Sequence, residues 1–242
     1  MTKAAITFLA TALFGLSSAL LMTRPAEAAG NRDAKIMLHA LSTTSKNPCV
    51  RAANLPANCV GFNAGINNLP LYPTTHYTYL LVVDGSQVEG IAGVQCGIDY
   101  NSAFGQGVDV YGWTLCASLE FSSTNWPQDG GGNLITWDAT TRCQTSGNAA
   151  LGAVGVAGYF YMAAYTPDIM RVTRRPVDNL AKVANCGAAE DIIQVCYRPE
   201  TDESTFLGAV GFGRTGVNPC GRLCGLPVEA ASWSEVKALA TD

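Results

Sequence analysis

Short runs of β-branched and aromatic residues, separated by glycine, proline, asparagine and aspartate, follow one another along most of the chain. Helical periodicity is nearly absent, and runs of this length and composition are typical of all-β proteins. Nine strands are predicted, at Ala34–Leu41, Tyr77–Val83, Gly90–Ile98, Val108–Cys116, Leu134–Asp138, Val154–Tyr165, Met170–Thr173, Ile192–Tyr197 and Phe206–Phe212. Strands that are this short and this regularly spaced predict an antiparallel β-sandwich.

One short helix is predicted at the C-terminal end. Ser232-Trp233-Ser234-Glu235 has the form of a capping box, in which the serine and the glutamate satisfy backbone amides at a helix start. Trp233, Val236 and Leu239 then form an apolar stripe. Because a helix of about ten residues is not stable alone, we expect it to dock on the β domain.

The N-terminal 28 residues have the pattern of a secretory signal peptide. Lys3 supplies a positive charge, Ala4–Met22 is an apolar run, and Ala26-Glu27-Ala28 is an A-x-A cleavage site. The alternative is a retained transmembrane anchor, since the run is just long enough to span a bilayer. The cleavage site favours the signal peptide. The sequence therefore predicts a single secreted or cell-surface domain at residues 29–242, with no membrane span after cleavage.

Nine cysteines follow the predicted cleavage site. Disulfides are expected in an exported chain, and the odd count leaves at least one thiol free or bonded to another chain. Spacing alone does not determine the connectivity. The favoured local pairs are Cys49–Cys59, Cys116–Cys143 and Cys220–Cys224. A zinc site is disfavoured, because the chain has no C-x-x-C pair and its two histidines are distant in sequence from every cysteine.

Charge and motifs exclude several classes of function. Charged residues make up 14% of the chain, against about 25% in an ordinary soluble domain. A net charge of −4 argues against nucleic-acid binding. G-x-S-x-G and H-E-x-x-H motifs are absent, so the sequence does not favour an enzyme. A hydrolase with two carboxylates across a cleft stays open as an alternative, because aspartates recur at predicted strand ends.

Calcium is the one cofactor that the sequence suggests. Asp99, Asn101 and Asp109 flank a Gly105–Gly107 turn, which is predicted to join the third and fourth strands as a hairpin. Their oxygens would then lie at one end of that hairpin, and calcium takes six to eight oxygen ligands in irregular loops. The alternative is that these residues serve the turn itself, because Asp and Asn side chains bond to nearby backbone.

Aromatic residues form the strongest candidate for a ligand site. In the strand that ends at Tyr165, alternation places Tyr159, Tyr161 and Tyr165 on one face and Phe160 and Met162 on the other. The second face has the composition of a core. The tyrosine side is amphipathic, so it either binds a ligand or is a half-buried surface covered by another segment.

Trp126 is a further ligand-binding candidate. It lies in Asn125-Trp126-Pro127, which is predicted as a loop. A large apolar side chain exposed on a loop commonly marks a binding site. Packing against the domain is the alternative for this indole.

Several segments resemble known proteins. Gly90–Tyr100, Val110–Cys116, Ile135–Asp138 and Gly158–Tyr161 are similar to uncharacterised secreted bacterial proteins with a signal peptide and one cysteine-containing β domain. A looser resemblance, over Tyr77 to Thr173, is to cohesin modules, which are β-sandwiches that bind dockerin partners. Carbohydrate-binding modules share that architecture. The cysteines are a departure from the cohesin pattern.

Together these features predict a non-catalytic, secreted or surface-associated binding module whose partner is a glycan or an extracellular protein. One alternative is a secreted hydrolase with a carboxylate pair. The other is a structural subunit of an extracellular assembly, joined through a sheet edge or an intermolecular disulfide.

Overall fold

The computed structural model describes residues 30–43, 49, 55–66, 74–193 and 206–220. The predicted signal peptide and the predicted C-terminal helix lie outside these residues. Within the described ranges there are thirteen strands, a 3-10 turn at Cys59–Gly61 and no α-helix. No helix in this part of the chain has the length and apolar character needed to cross a membrane.

The strands and their bounds are β1 Lys35–Ser42, β2 Gly65–Ile66, β3 Thr75–Gly85, β4 Gly93–Asp99, β5 Val108–Leu115, β6 Leu119–Ser122, β7 Gly132–Thr136, β8 Gly147–Asn148, β9 Gly152–Ala164, β10 Asp168–Thr173, β11 Lys182–Ala184, β12 Glu190–Ile192 and β13 Ala209–Phe212. They form two sheets. The first has the order β1-β3-β9-β5, with β8 also beside β9. The second has the order β12-β11-β4-β10-β13-β2. In addition, β7 pairs with the opposite side of β4, and β6 pairs with β7.

A core of apolar side chains lies between the two sheets. On β3 the even-numbered Leu80 and Val82 point inward, and on β9 Phe160 and Met162 do so; all four are fully buried. The second sheet contributes buried residues from β4, β7, β10, β11 and β13, namely Val94, Ile98, Ile135, Met170, Val172, Val183, Val210 and Phe212. The period of two along each strand therefore gives each sheet one apolar face for this core.

The outer face of the first sheet is also partly buried. Tyr79 and Leu81 of β3 pack there with Val154 of β9, beneath Cys59 and Phe62 of the segment that contains the 3-10 turn. Among the described residues, this second cluster covers one end of the face. The other end carries the tyrosines described below.

The predicted β-sandwich is confirmed, and each of the nine predicted strands overlaps an observed one. For Ile192–Tyr197, the part beyond residue 193 lies outside the described residues. The predicted hairpin across Gly105–Gly107 is wrong, because β4 pairs within the second sheet whereas β5 pairs with β9 in the first. The turn connects the two sheets and does not join neighbouring strands.

Three disulfides lie in the described residues: Cys49–Cys116, Cys59–Cys220 and Cys143–Cys186. Five of the six candidate cysteines are thus bonded, but the predicted local pairs Cys49–Cys59, Cys116–Cys143 and Cys220–Cys224 are wrong. Cys220 pairs with Cys59, and Cys224 lies outside the described residues. The bonded cysteines are 67, 161 and 43 positions apart, because the sandwich brings together loops that are distant in sequence.

Cys96 is the free cysteine among the residues that the structure describes. It is fully buried in the core on β4, and burial raises the pKa of its thiol to about 12. A thiol in this state is neutral and inaccessible. Cys96 therefore gives no support to an assembly joined by an intermolecular disulfide.

Candidate binding site

Five tyrosines lie side by side on the first sheet's outer face, beyond the part that Cys59 and Phe62 cover. They come from β3, β5, β9 and the residue directly after β9, and we call them the tyrosine face: Tyr77, Tyr111, Tyr159, Tyr161 and Tyr165. Register places Tyr77 opposite Tyr161, and Tyr161 opposite Gly112. The backbone pairing of three adjacent strands therefore holds the side chains in place.

The rings of the tyrosine face contact one another across the strands. Ring centroids are 5.0 Å apart for Tyr77 and Tyr159, 5.9 Å for Tyr77 and Tyr161, and 5.7 Å for Tyr111 and Tyr161. Their planes are tilted by 72°, 49° and 54°. Tyr77 and Tyr159 therefore pack edge to face, whereas the other two pairs are tilted. The rings form a contoured surface instead of a flat one.

The five side chains of the tyrosine face differ in their exposure to solvent. Tyr77 and Tyr159 are half-buried, whereas Tyr161, Tyr165 and Tyr111 are 39%, 37% and 49% exposed. The alternation predicted for β9 is present, since the intervening Phe160 and Met162 are fully buried. Tyr161 and Tyr165 are thus accessible to a ligand, and Tyr159 is accessible only in part.

Tyr111 belongs to this face because of a β-bulge. The register of β5 against β9 shifts between Val110 and Gly112, so that Tyr111 is the extra residue. Strict alternation would place Tyr111 and Trp113 on the same side of the strand. The bulge instead puts Tyr111 outside and Trp113 against the core. The aromatic composition of β5 was visible in the sequence, but the bulge was not.

The hydroxyl groups of Tyr111 and Tyr165 form a hydrogen bond of 2.6 Å. Partial burial and this bond raise the pKa of Tyr111 to about 12. The hydroxyl therefore stays protonated at neutral pH, so it can both donate and accept hydrogen bonds. The exposed end of the face thus has apolar rings with fixed polar groups at their edge.

Trp126 does not lie on the tyrosine face. Its indole packs against Trp113 and Phe160 at centroid distances of 5.1 and 5.3 Å, and it is half-buried. Its Nε1 is buried without a hydrogen-bond partner in the described part of the chain. The indole therefore closes one side of the sandwich core, so its predicted role in ligand binding has no support in this geometry.

An open cavity of about 200 Å³ adjoins the tyrosine face. Tyr111 lines the cavity and also belongs to the face, so the two surfaces are continuous. The other walls include Tyr100, Phe104, Asp109 and Gln128. The Tyr100 hydroxyl donates to Gln128 Oε1 at 3.0 Å, and Gln128 Nε2 donates to a backbone carbonyl of β5 at 3.3 Å. These bonds hold two of the walls together.

The inter-sheet turn shapes this cavity. Gly105 and Gly107 have φ values of 72° and 57°, which favour glycine. Asn101 Oδ1 accepts a hydrogen bond from the Ala103 amide at 3.1 Å, in the manner of an Asx turn. The turn projects Phe104 into solvent, where the residue is 91% exposed.

The oxygens proposed for calcium have other partners. Asn101 Oδ1 bonds within the turn, and the Asp109 carboxylate accepts from the Gly105 amide. Asp99 lies 3.8 Å from Arg171. No group of three or more His, Cys, Asp or Glu side chains in the described ranges could hold a metal ion. The calcium site stays a prediction, and the geometry assigns Asn101 and Asp109 to the turn.

Two carboxylates, Asp99 and Asp129, lie next to each other at the same end of the sandwich. Burial, followed by the charge of the nearby Asp129 carboxylate, raises the pKa of Asp99. Glycoside hydrolases hold their two carboxylates about 5–10 Å apart, on opposite sides of a substrate cleft. Asp99 and Asp129 do not line the cavity described above. The hydrolase alternative therefore gains no support from this pair.

Comparison with known proteins places little constraint on function. No protein-family model matches the sequence, and no curated protein matches it. Among solved structures, a cohesin module from a family 33 glycoside hydrolase of Clostridium perfringens ATCC13124 is similar with a TM-score of 0.35 and 6% identity, covering 73% of this chain and 96% of that chain. This is a weak structural likeness, and the resemblance to secreted bacterial β-domain proteins stays a prediction.

Proposed function

We propose that the protein is a non-catalytic binding module that holds a glycan on the tyrosine face. The observation that carries this proposal is the row of exposed rings at Tyr111, Tyr161 and Tyr165, held by paired strands and edged by hydroxyl groups. A sugar ring has an apolar C–H face and polar hydroxyls around it. Tyrosine offers the matching combination of an apolar ring and a polar tip.

The tilts between the rings indicate the form of the glycan. Planes at 49° and 54° to one another cannot all lie parallel to one flat surface. A single oligosaccharide chain, whose successive sugars can rotate about their linkages, can follow such a contour. We therefore expect binding of individual chains and little binding to crystalline polysaccharide.

The cellular setting of this function is an oxidising compartment. Three disulfides among the described residues are consistent with export from the cytosol. The predicted signal peptide would direct the chain into the export pathway. In this proposal the module is secreted or displayed at the cell surface, where glycans are available to it.

The test is a glycan array followed by calorimetric titration of the best oligosaccharide. Tyr161→Ala is expected to weaken binding about 5- to 30-fold, because truncation of an aromatic anchor costs about 1–2 kcal/mol. Phe121→Ala on β6 is the matched control, since Phe121 is 53% exposed but lies on the second sheet. Wild-type affinity in Tyr161→Ala, or an equal loss in both variants, would contradict the proposal.

A further inference from the structure

The cavity beside the tyrosine face combines aromatic walls with a buried carboxylate. Tyr100, Phe104 and Tyr111 contribute rings, and Asp109 contributes the carboxylate. Asp109 is only 8% exposed. Its hydrogen bonds in the described part of the chain come from the Gly105 amide, at 3.2 and 3.3 Å, and none of the ion pairs found there involves it.

Among the described residues, no cationic side chain pairs with this carboxylate, and a buried charge is costly unless it is paired. One backbone amide, shared between both oxygens at these long distances, leaves acceptor positions free on each oxygen. A positively charged group with N–H donors would supply both the missing charge and the missing hydrogen bonds.

The aromatic walls favour the same kind of ligand. A cation over the face of a tyrosine or phenylalanine ring is attracted by the negative potential of that face. The carboxylates of Asp129 and Asp168 also lie near this end of the sandwich, where both interact electrostatically with Tyr100, as does Asp109. The local field therefore opposes anionic groups, such as sulfates and uronates, and favours cations.

We propose that this cavity binds the ammonium group of an amino sugar, so that the preferred ligand is a glycan with free amino groups. This inference rests on the proposed glycan-binding function. The sugar rings would lie on the tyrosine face, and an ammonium group would enter the cavity past Tyr111, where the two surfaces meet. Asp109 would accept hydrogen bonds from the ammonium group, and Phe104 would cover it.

The experiment compares two oligosaccharides of equal length, a β-1,4-linked glucosamine oligomer with free amines and its fully N-acetylated counterpart. Both are titrated into the full chain at pH 6, where most amines of the glucosamine oligomer are protonated, and at low salt, where screening is weak. We expect the wild type to bind the free-amine oligomer at least about tenfold more tightly, as one charged hydrogen bond of about 1.5–3 kcal/mol implies.

Three variants test whether Asp109 and Phe104 cause the preference for free amines. Asp109→Asn keeps an oxygen that can accept from the Gly105 amide but removes the charge, so it should abolish the preference for free amines. Phe104→Ala, at a highly exposed position that contributes little to folding, should reduce the preference about threefold. Asp33→Asn is the control, because Asp33 precedes β1 and lies at the opposite end of the first sheet. Thermal melting verifies that each variant is folded.

The outcomes separate the inference from the proposed function. Equal affinity of the wild type for the two oligomers, or an unchanged preference in Asp109→Asn, overturns the inference but leaves glycan binding intact. A loss of preference in Asp33→Asn equal to that in Asp109→Asn also overturns it, because the effect would then reflect net charge. Binding of neither oligomer, together with an empty glycan array, overturns both proposals.

Discussion

Trp126 offers a sharp test of how aromatic residues divide between core and surface. We expect Trp126→Ala to destabilise the protein and to leave glycan affinity unchanged once the variant is folded. Its indole packs on Trp113 and Phe160 and is half-buried. Truncation of a fully buried tryptophan costs about 3–5 kcal/mol, so a half-buried one should cost about 2–3 kcal/mol.

Trp126→Phe is the matched variant. It keeps an aromatic ring against the core but removes the buried Nε1–H, which lacks a partner among the described residues. An unpaired buried donor costs about 1–3 kcal/mol, which offsets the packing lost with the smaller ring. We therefore expect the free energy of unfolding of Trp126→Phe to lie within about 1 kcal/mol of the wild-type value.

The assay is thermal unfolding followed by circular dichroism, with glycan titration of each variant below its melting temperature. A loss of about 2–3 kcal/mol corresponds to a decrease in Tm of about 4–12 °C for a domain of this size. A wild-type Tm in Trp126→Ala, together with lost binding, would refute the reasoning. That result would make Trp126 a ligand contact, as its loop position suggested.

Three other predictions concern stability and reactivity. Asp84→Asn should lower the free energy of unfolding in urea by about 3 kcal/mol, because it removes the carboxylate that pairs with Lys35, whose side chain is 5% exposed. Lys35→Met should cost less, since the carboxylate that it leaves unpaired is 29% exposed. A larger cost for Lys35→Met than for Asp84→Asn would contradict this reasoning. Gly158→Ala should lower the free energy of unfolding by about 1–3 kcal/mol, because the added Cβ would press on the indole of Trp113. Gly112→Ala, with open space around it, should be neutral or slightly stabilising. Equal costs for the two variants would be inconsistent with the packing. Cys96 should resist thiol reagents in the native protein and react once the protein is unfolded, as peptide mapping by mass spectrometry would show. Labelling of Cys96 in the native protein would place the residue outside the core.

The strands were predictable because their signals are local. In β9, the alternation of Tyr159 and Tyr161 with Phe160 and Met162 already separates an amphipathic face from a core face. The structure has the same division. The candidate ligand-binding tyrosines of β9 could therefore be chosen from the sequence with no knowledge of the rest of the fold.

The membership of each sheet was not predictable, because it depends on long-range pairing. The glycine turn before β5 has the composition of a hairpin, yet β5 leaves β4 and pairs with β9. Cys59 finds Cys220 across 161 positions for the same reason. Local spacing favours short disulfide loops and carries no information about which loops the sandwich brings together.

Details of the site depended on features with no clear sequence signal. The bulge at Tyr111 moves this ring to the outer face and turns Trp113 to the core. That single shift of register completes the tyrosine face and gives Trp126 a packing partner. Asp109 illustrates the same point, since the sequence suggested a metal ligand, whereas the structure places the residue in the wall of an aromatic cavity.

The most direct test of glycan binding by the tyrosine face is an NMR titration of the isotope-labelled protein with the tightest oligosaccharide from the array. We expect the shift changes to centre on the ring and amide signals of Tyr111, Tyr161 and Tyr165, and to extend to Phe104 at the cavity. Changes confined to the second sheet, or to the segment around Trp126, would contradict the proposed surface.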